Sequence, residues 1–183
     1  LNLDKPENTF RVYGLNPNGF RINKKGGDIT EFFMMASSID TDFVGCAEHN
    51  LDFTQHRVQE SAYQAIRNTV EHSKATWSTT TIPFDNTYKP GGTMSCVLGN
   101  AVARVKEAGQ DYLGRWSFIK LRGKDNRVIN FITVYQVCKT PDGALSKGKC
   151  TAAAQQRSLL AQRHKRDPNP IKHFRKDLST LLK

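Results

Sequence analysis

The chain has 183 residues, about the length of one domain, and its 27 basic against 17 acidic side chains give a net charge of +10. Hydrophobic residues make up 38%, and the ten phenylalanines exclude wholesale disorder. No stretch approaches about 18 consecutive apolar residues, so we expect no membrane span. Such a charge suits an acidic partner, with nucleic acid as the first candidate and an anionic membrane surface as the second.

The positive charge is concentrated in residues 147–183, the basic tail. The tail carries ten basic and two acidic side chains, a net charge of +8, whereas the first 146 residues carry +2. Nucleic-acid binding is therefore a separate question for the nearly neutral body and for the tail. A solvated helix face on an ordinary basic protein is the structural alternative for the tail.

The first half of the chain is predicted to alternate strands and helices. Residues 10–15 indicate a short strand that ends at an Asn-Pro-Asn-Gly turn. Asp28 and Glu31 have the spacing of a capping box ahead of an amphipathic helix. Residues 42–47 form a brief apolar run typical of a buried strand, and a longer amphipathic helix is predicted from Thr54.

The next part of the chain has β character. Residues 77–84 are rich in threonine and aromatic side chains, and a Lys-Pro-Gly-Gly turn leads into a strand at 93–98. Residues 115–122 and 127–137 are predicted to form a hairpin around a turn at 124–126. The β region is expected to end at the turn signal of residues 140–143.

The basic tail is predicted to be helical. Residues 151–163 are good helix formers, and Asp167 is placed to cap a second helix with Pro168 at its first position. The order is therefore strand, helix, strand, helix, antiparallel strands and helices. This order predicts an α/β layered domain whose helices cover a mixed, largely antiparallel sheet.

Glu48 is the first candidate functional residue. It follows the predicted buried strand, and ligand sites in α/β sheets lie beyond the carboxyl ends of strands. A carboxylate there can hold a hard cation such as Mg²⁺, which binds phosphate at its remaining positions. The alternative is a strand-end carboxylate that caps Asn50 or its neighbours, and position alone leaves both readings open.

Three further residues could take part in a site. Asn16 and Asn18 follow the first predicted strand, where an amide can orient a ligand or bridge to Glu48, although Asn-Pro-Asn-Gly is also ordinary turn chemistry. Lys89 and the nearby Gly-Gly pair could offer a cation and backbone amides to phosphate, although such turns form without a ligand. His49 adjoins Glu48, but no histidine lies in a Ser-His-Asp or His-Glu-x-x-His arrangement, so none is assigned as a general base.

The cysteines indicate a compartment. Their spacing excludes Cys-x-x-Cys pairs, and three of the four lie in or beside apolar strand-like runs, which favours buried reduced thiols over a disulfide. We therefore expect an intracellular protein, with the nucleus as a candidate location. The cysteines are Cys46, Cys96, Cys138 and Cys150.

Five short motifs together resemble a known family. They are YGLNPNGF at 13–20, DFVGCAE at 42–48, KPGG at 89–92, GRW at 114–116 and VY at 134–135. In this order and spacing they resemble the N-terminal portion of the endonuclease/exonuclease/phosphatase superfamily, which has the DNase I-like fold. The spacing is most similar to that of AP-endonuclease-like and retrotransposon-type endonucleases, and the resemblance covers residues 10–140.

The resemblance implies a DNase I-like layered sandwich that is truncated before its second half. Residues 1–146 would form the N-terminal half of the domain, and residues 147–183 a basic helical segment of the same incomplete domain. In the family two sheets pack face to face, and the second is expected to come largely from the part that is absent here. The chain would then expose apolar sheet surface and aggregate.

The resemblance also implies a function, that of a Mg²⁺- or Mn²⁺-dependent phosphodiesterase, and most specifically an endonuclease. Glu48 matches the principal metal-binding glutamate, Asn16 the asparagine that organises the metal and carboxylate network, and Tyr135 the tyrosine that contacts phosphate. DNA is favoured over RNA as the partner. The residues expected to contact nucleic acid are Lys89, Lys172, Arg175 and Lys176.

The chain also departs from the family pattern. Leu15 and Ala47 replace the usual Trp and Gln, and Asn18 falls where AP-endonuclease-like members carry Asp. Neither an Asp-x-Asn strand nor a late Ser-Asp-His motif is present, since the Asp167-Pro168-Asn169 string begins a predicted helix. The chain by itself is therefore expected to be inactive. A catalytically degenerate nucleic-acid-binding domain and a lipid or inositol phosphatase relative are the alternatives.

Overall fold

The computed structural model describes residues 4–22, 27–82, 89–138, 151–163 and 166–183. Within these ranges the chain forms seven strands and four α helices. They are β1 Val12–Leu15, α1 Asp28–Ser38, β2 Phe43–Ala47, α2 His56–Thr69, β3 Ser73–Ser78, β4 Thr93–Leu98, β5 Val105–Gln110, β6 Trp116–Arg122, β7 Val128–Val134, α3 Ala152–Gln162 and α4 Pro170–Leu181. The predicted turn at 140–143 and Cys150, Lys147, Lys149 and Lys165 lie outside the described residues.

The strands form two sheets. The first has the order β1-β2-β4-β3, with β1 parallel to β2 and the other pairs antiparallel. The second is the antiparallel sheet β5-β6-β7. The predicted α/β layered fold is confirmed, and the hairpin of β6 and β7 is confirmed with it. Three strands of the second sheet lie within the described residues, and the expectation that most of that sheet lies outside this chain stays a prediction.

Helices α1 and α2 cover the outer face of the first sheet. Each buries one apolar stripe with helical spacing, and these stripes pack against the β2 and β4 side chains that point outward, such as Val44 and Cys96. The residues of the stripes are Ile29, Phe32, Phe33 and Ala36 in α1 and Val58, Ala62, Ala65 and Ile66 in α2. Because both of its faces are covered, the central strands β2 and β4 of the first sheet are almost entirely buried.

The opposite face of the first sheet packs on the second sheet. Phe131 of β7 stacks on Phe43 of β2 with ring centroids 4.8 Å apart. Beside this aromatic contact, the Ser95 hydroxyl lies 3.0 Å from the Ser117 hydroxyl and donates to the Thr133 hydroxyl at 2.9 Å. Apolar stacking and a small buried hydroxyl cluster therefore join the two sheets.

Two strands differ from the sequence prediction. β3 occupies Ser73–Ser78 rather than 77–84, because its register is fixed by antiparallel pairing with β4, Ser73 opposite Leu98. β5, the strand Val105–Gln110, was not predicted, since its Lys-Glu-Ala-Gly run has low strand propensity. For both strands, hydrogen-bond pairing with the neighbouring strand determines which residues are extended.

The caps of two helices also differ from the prediction. Gly27 is the N-cap of α1, and the Asp28 carboxylate accepts hydrogen bonds from Arg21 instead of forming a capping box. Hydrogen bonds from Arg21 hold the pKa of Asp28 below its usual value. Asn169, rather than Asp167, caps α4, and its side chain accepts from the backbone N–H groups of the first turn.

Two further expectations concern the cysteines and membrane-spanning helices. Cys46 and Cys96 are buried and free, and burial raises the pKa of both thiols, so they are inert core residues. Cys138 is also free but exposed, contrary to the expected burial. None of the helices in the described ranges combines the length and apolarity that crossing a bilayer requires.

Candidate functional site

Asn16, Glu48 and Tyr135 come together at one end of the sandwich, the site end. Leu15 pairs in parallel with Cys46, so the residues that follow β1 and β2 emerge at the same edge. The turn before β4 lies there too, because Thr93 pairs with Ala47. Tyr135 follows β7 at this end, and its ring lies against that turn, since a Cβ on Gly91 would be 2.9 Å from it.

Glu48 occupies the centre of the site end. Its backbone has a positive φ of 57°, which is uncommon for a non-glycine residue and marks local strain. Its N–H donates to the Gly92 carbonyl at 2.8 Å, and its carboxylate has no bonding partner among the residues described. The alternative, in which the Glu48 carboxylate caps Asn50, is not observed. The Asn50 N–H donates instead to the Gly91 carbonyl at 2.9 Å.

Asn16 is exposed and takes part in a local turn. Its side-chain oxygen accepts a hydrogen bond from the Asn18 N–H at 3.0 Å, which is the ordinary Asx-turn geometry. Asn18 itself has a positive φ of 52°. In the described part of the chain, no hydrogen bond joins Asn16 to Glu48. The Asn16 oxygen nevertheless keeps a second lone pair for a ligand.

His49 is buried beneath Glu48 and is not suited to acid–base work. Its Nδ1 accepts from the Leu51 N–H, which assigns the proton to Nε2, and Nε2–H then donates to the Ser78 carbonyl at 3.0 Å. Burial lowers the pKa of His49 to about 4, so the ring is neutral at pH 7. A Cβ on Gly92 would lie 2.4 Å from this ring, so only glycine fits there.

Lys89 is also enclosed. Its ammonium lies 2.8 Å from the Asp52 carboxylate and donates to the Thr80 carbonyl at 2.8 Å, and both charged side chains are fully buried. Burial raises the pKa of Asp52, but hydrogen bonds from Lys89 and Thr54 outweigh it and hold that pKa below its usual value. Because its ammonium does not face solvent, Lys89 is not part of the nucleic-acid surface that we propose below.

Arg115 ties the site end to the last helix. Its guanidinium bonds to Asp111 and lies 2.9 Å from the Asp177 carboxylate of α4, with only 2% of its surface exposed. The neighbouring Trp116 packs its ring against Phe174 of the same helix. Arg115 and Trp116 therefore hold α4 against the start of β6.

Helix α4 presents the basic side chains predicted to contact nucleic acid. Lys172, Arg175 and Lys176 are exposed on the side away from the buried Ile171 and Phe174. Ile171 belongs to a buried apolar cluster against which Tyr135 packs. The exposed cations therefore lie on a helix that borders the site end.

An open apolar groove runs between β1 and β7. It has a volume of about 390 Å³ and contains Asn16 among its lining residues. Among the residues described, the outer edges of β1 and β7 pair with no strand, so the groove separates two free sheet edges. Its apolar lining includes Val12, Leu15, Phe43, Ile132 and Val134.

The ligand set at the site end suits a water-rich cation site. Mg²⁺ keeps several waters and is commonly bound through one or two carboxylates and substrate phosphates. Glu48 supplies one carboxylate and Asn16 one amide oxygen. The described ranges hold no group of three or more His, Cys, Asp or Glu side chains that could bind a metal. A cation here would therefore depend on substrate and water for most of its ligands.

The fold and the site end define the chain as a two-sheet α/β sandwich with polar residues gathered beyond the strand ends. No protein-family model matches the chain, and no curated protein matches it. Among solved structures it is similar to an endonuclease/exonuclease/phosphatase family protein from Leptotrichia buccalis C-1013-b, with a TM-score of 0.50 and 10% sequence identity.

That similarity covers 88% of this chain and 65% of the Leptotrichia protein, so the chain spans less than two thirds of its structural neighbour. At 10% identity the similarity shows the fold alone. The DNase I-like fold expected from the motifs is therefore confirmed as a fold, and membership of the superfamily and the AP-endonuclease-like subtype stay predictions.

Proposed function

We propose that the chain is the N-terminal part of a Mg²⁺-dependent phosphodiesterase, an endonuclease that cleaves nucleic acid and prefers DNA to RNA. One observation carries the proposal. Asn16, Glu48 and Tyr135, which lie far apart in sequence, meet at one end of a fold shared with an endonuclease/exonuclease/phosphatase protein. Strand ends of this kind are where α/β sheets place their ligands.

Each of the three residues has a role in this proposal. The Glu48 carboxylate holds the cation, and the Asn16 oxygen orients it from the neighbouring strand end. The Tyr135 hydroxyl donates a hydrogen bond to a phosphate oxygen. The cation, when bound, polarises the phosphodiester as a Lewis acid.

The described residues do not supply a general base. His49, the histidine next to Glu48, is buried and neutral, and its Nδ1 already accepts from the Leu51 N–H. Activation of water therefore has to come from elsewhere in the complete protein. In this proposal the chain contributes binding and orientation of the metal and the phosphate.

The test is metal-dependent nicking of supercoiled DNA by the complete natural protein. Glu48→Ala should lower the rate by about 100-fold or more, since it removes the anionic ligand of the cation. Glu60→Ala is the matched control, because Glu60 is exposed on α2 and pairs with the exposed His56. Nicking that is equally fast in Glu48→Ala and Glu60→Ala would overturn the assignment.

A binding function without catalysis is the second candidate. It is favoured by the absence, among the described residues, of any group of three or more His, Cys, Asp or Glu side chains that could hold a metal, together with the exposed cations of α4. Reversing the charge at Lys172, Arg175 and Lys176 should flatten the salt dependence of DNA affinity by up to about 3 logarithmic units per decade of salt. Reversal at Lys106, Lys124 and Arg127, which are exposed around β5–β7, is the control. An unchanged slope would remove α4 from the binding surface.

A further inference from the structure

We propose that Asn50 is a positioning residue, which fixes Glu48 relative to the Asn16 turn and to Tyr135 and thereby sets the cation affinity of the site end. This inference rests on the proposed function. Asn50 is 6% exposed and has a positive φ of 55°, a conformation that Asn adopts more readily than most residues.

Asn50 joins the Glu48 loop to the turn before β4 through three hydrogen bonds. Its N–H donates to the Gly91 carbonyl at 2.9 Å, and its side-chain oxygen accepts from the Gly91 N–H at 2.7 Å. Its carbonyl accepts from the Lys89 N–H at 2.9 Å. With the bond from Glu48 N–H to Gly92, these contacts hold the backbone of residue 48 on both sides.

Asn50 also contacts the loop that carries Asn16. A Cβ built on Gly19 would lie 3.0 Å from the Asn50 Nδ2, so that amide packs directly on the glycine. The Phe20 N–H donates to the His49 carbonyl at 2.9 Å beside it. The Asn16 turn is therefore seated on residues 49 and 50 and would move if they moved.

Tyr135 is linked to the same residue through Gly91. The Tyr135 ring is so close that a Cβ on Gly91 would be 2.9 Å from it, and the N–H of Gly91 bonds to the Asn50 side chain. One buried asparagine thus contacts the Asn16 loop and the turn before β4 directly and is linked to Tyr135 through Gly91. Its side-chain oxygen holds the turn against which Tyr135 packs, and its side-chain nitrogen packs on the Asn16 loop.

Removing that oxygen has a specific consequence. In Asn50→Ala the buried N–H of Gly91 loses its acceptor, and the turn before β4 is freed to shift away from the Glu48 loop. Residues that orient a metal ligand commonly affect metal affinity by about 10- to 100-fold. We expect Asn50→Ala to weaken Mn²⁺ binding by roughly tenfold.

Asn50→Asp separates positioning from simple destabilisation. Within the described ranges, the Nδ2 of Asn50 donates no hydrogen bond, so Asp keeps the one side-chain contact that matters, the acceptor for Gly91. Asn50→Asp should therefore retain Mn²⁺ affinity within about threefold of the unsubstituted chain or bind more tightly, because it adds a negative charge near the cation.

The experiment is a titration of the whole chain with Mn²⁺, followed by the paramagnetic broadening of the backbone amide signals of Asn16, Asn18 and residues 48–50. Glu48→Gln removes the proposed anionic ligand of the cation and should therefore abolish the broadening. Asn126→Ala is the matched control, because Asn126 is an exposed asparagine with a similar φ of 58° in the turn between β6 and β7, away from the site end. The expected order of affinity is unsubstituted chain, Asn126→Ala and Asn50→Asp together, then Asn50→Ala.

The outcomes distinguish the two proposals. No broadening of these signals in the unsubstituted chain would overturn the proposed metal site, and the positioning role with it. Equal Mn²⁺ affinity in the unsubstituted chain and in Asn50→Ala would overturn the positioning role alone. Equal losses in Asn50→Ala and Asn50→Asp would also overturn it, since the Gly91 acceptor would then not be the cause.

Discussion

The two sides of the sandwich are built differently. On the closed side, β3 and β5 face each other, and Thr76 donates to Gln110 at 2.7 Å while the Ser78 hydroxyl bonds to Asp111 at 2.7–2.8 Å. An isolated antiparallel β-bridge between Thr80 and Leu113 extends the contacts of this closed side. On the open side, β1 and β7 are separated by an apolar groove.

The exposed apolar residues follow the same division. Of the eight large hydrophobic side chains that are exposed among the described residues, five lie on β1 and β7. They are Val12, Leu15, Val128, Ile129 and Val134. Polar contacts therefore complete the closed side within the chain, whereas the open side has, among the described residues, two unpaired strand edges and exposed apolar surface.

The largest expected effect comes from breaking the closed side at Asp111. Its carboxylate accepts from the Ser78 hydroxyl and the Arg115 backbone, and it pairs with the buried Arg115 guanidinium. Asp111→Ala should lower the free energy of unfolding by about 3–5 kcal/mol, because a buried charge loses its main partner. Denaturant-induced unfolding measures this change.

Asp167→Ala is the control for Asp111, since Asp167 forms an exposed ion pair with Lys172 at 3.0 Å. It should cost no more than about 1 kcal/mol. If the two variants lost equally little stability, the closed side would not depend on its buried polar contacts.

A second expected effect is a pH dependence from His49, whose Nε2 bonds to Ser78 at the end of β3. Its pKa is about 4 in the folded chain, against about 6.5 when unfolded, so the unfolded state takes up the proton first as the pH falls. The stability contribution is complete above pH 6.5 and is lost as the pH falls toward 4, by about 3 kcal/mol.

The measurement for His49 is the free energy of unfolding at several pH values between 7 and 4.5. In His49→Gln this pH slope should be reduced, even if the variant is less stable throughout. His56→Gln, which replaces an exposed histidine of α2, should keep the slope of the unsubstituted chain. Identical slopes in the three proteins would contradict the burial of a neutral His49.

Strong local patterns made part of the fold predictable. β2 is an apolar run, β4 follows a Lys-Pro-Gly-Gly turn, and the β6–β7 hairpin has strands of high β propensity around a polar turn, so the sequence alone locates them. β3 and β5 carry weak patterns, and their positions depend on which strand they pair with. Pairing joins one strand to another, so the residue pattern within either strand does not encode it.

The same distinction applies to the site. Glu48 is predictable because it directly follows a buried strand. The roles of Asn50 and Lys89 are not, because each depends on a contact with a distant segment, Asn50 with Gly91 and Lys89 with Asp52. The one sequence feature that pointed to close packing at this turn is the pair of glycines at 91 and 92. Their positive φ of 86° permits the close approach of the His49 and Tyr135 rings.

The smallest expected effect on stability, and the most direct test of the open side, comes from Val12 and Val134. These side chains are 55% and 42% exposed on the two free edges. The combined change of both to Lys should alter the free energy of unfolding by less than about 1 kcal/mol. It should nevertheless raise the monomeric fraction, because charges on edge strands oppose edge-to-edge association.

Sedimentation velocity over a range of concentrations separates these possibilities. The unsubstituted chain should associate as its concentration rises, and the double Lys variant should associate less. Met34→Lys is the control, since Met34 is 58% exposed on α1, away from the groove, and should leave association unchanged. If the unsubstituted chain is monodisperse at all concentrations, the exposed edges of β1 and β7 do not drive association. The two sides of the sandwich would then differ in composition but not in their effect on assembly.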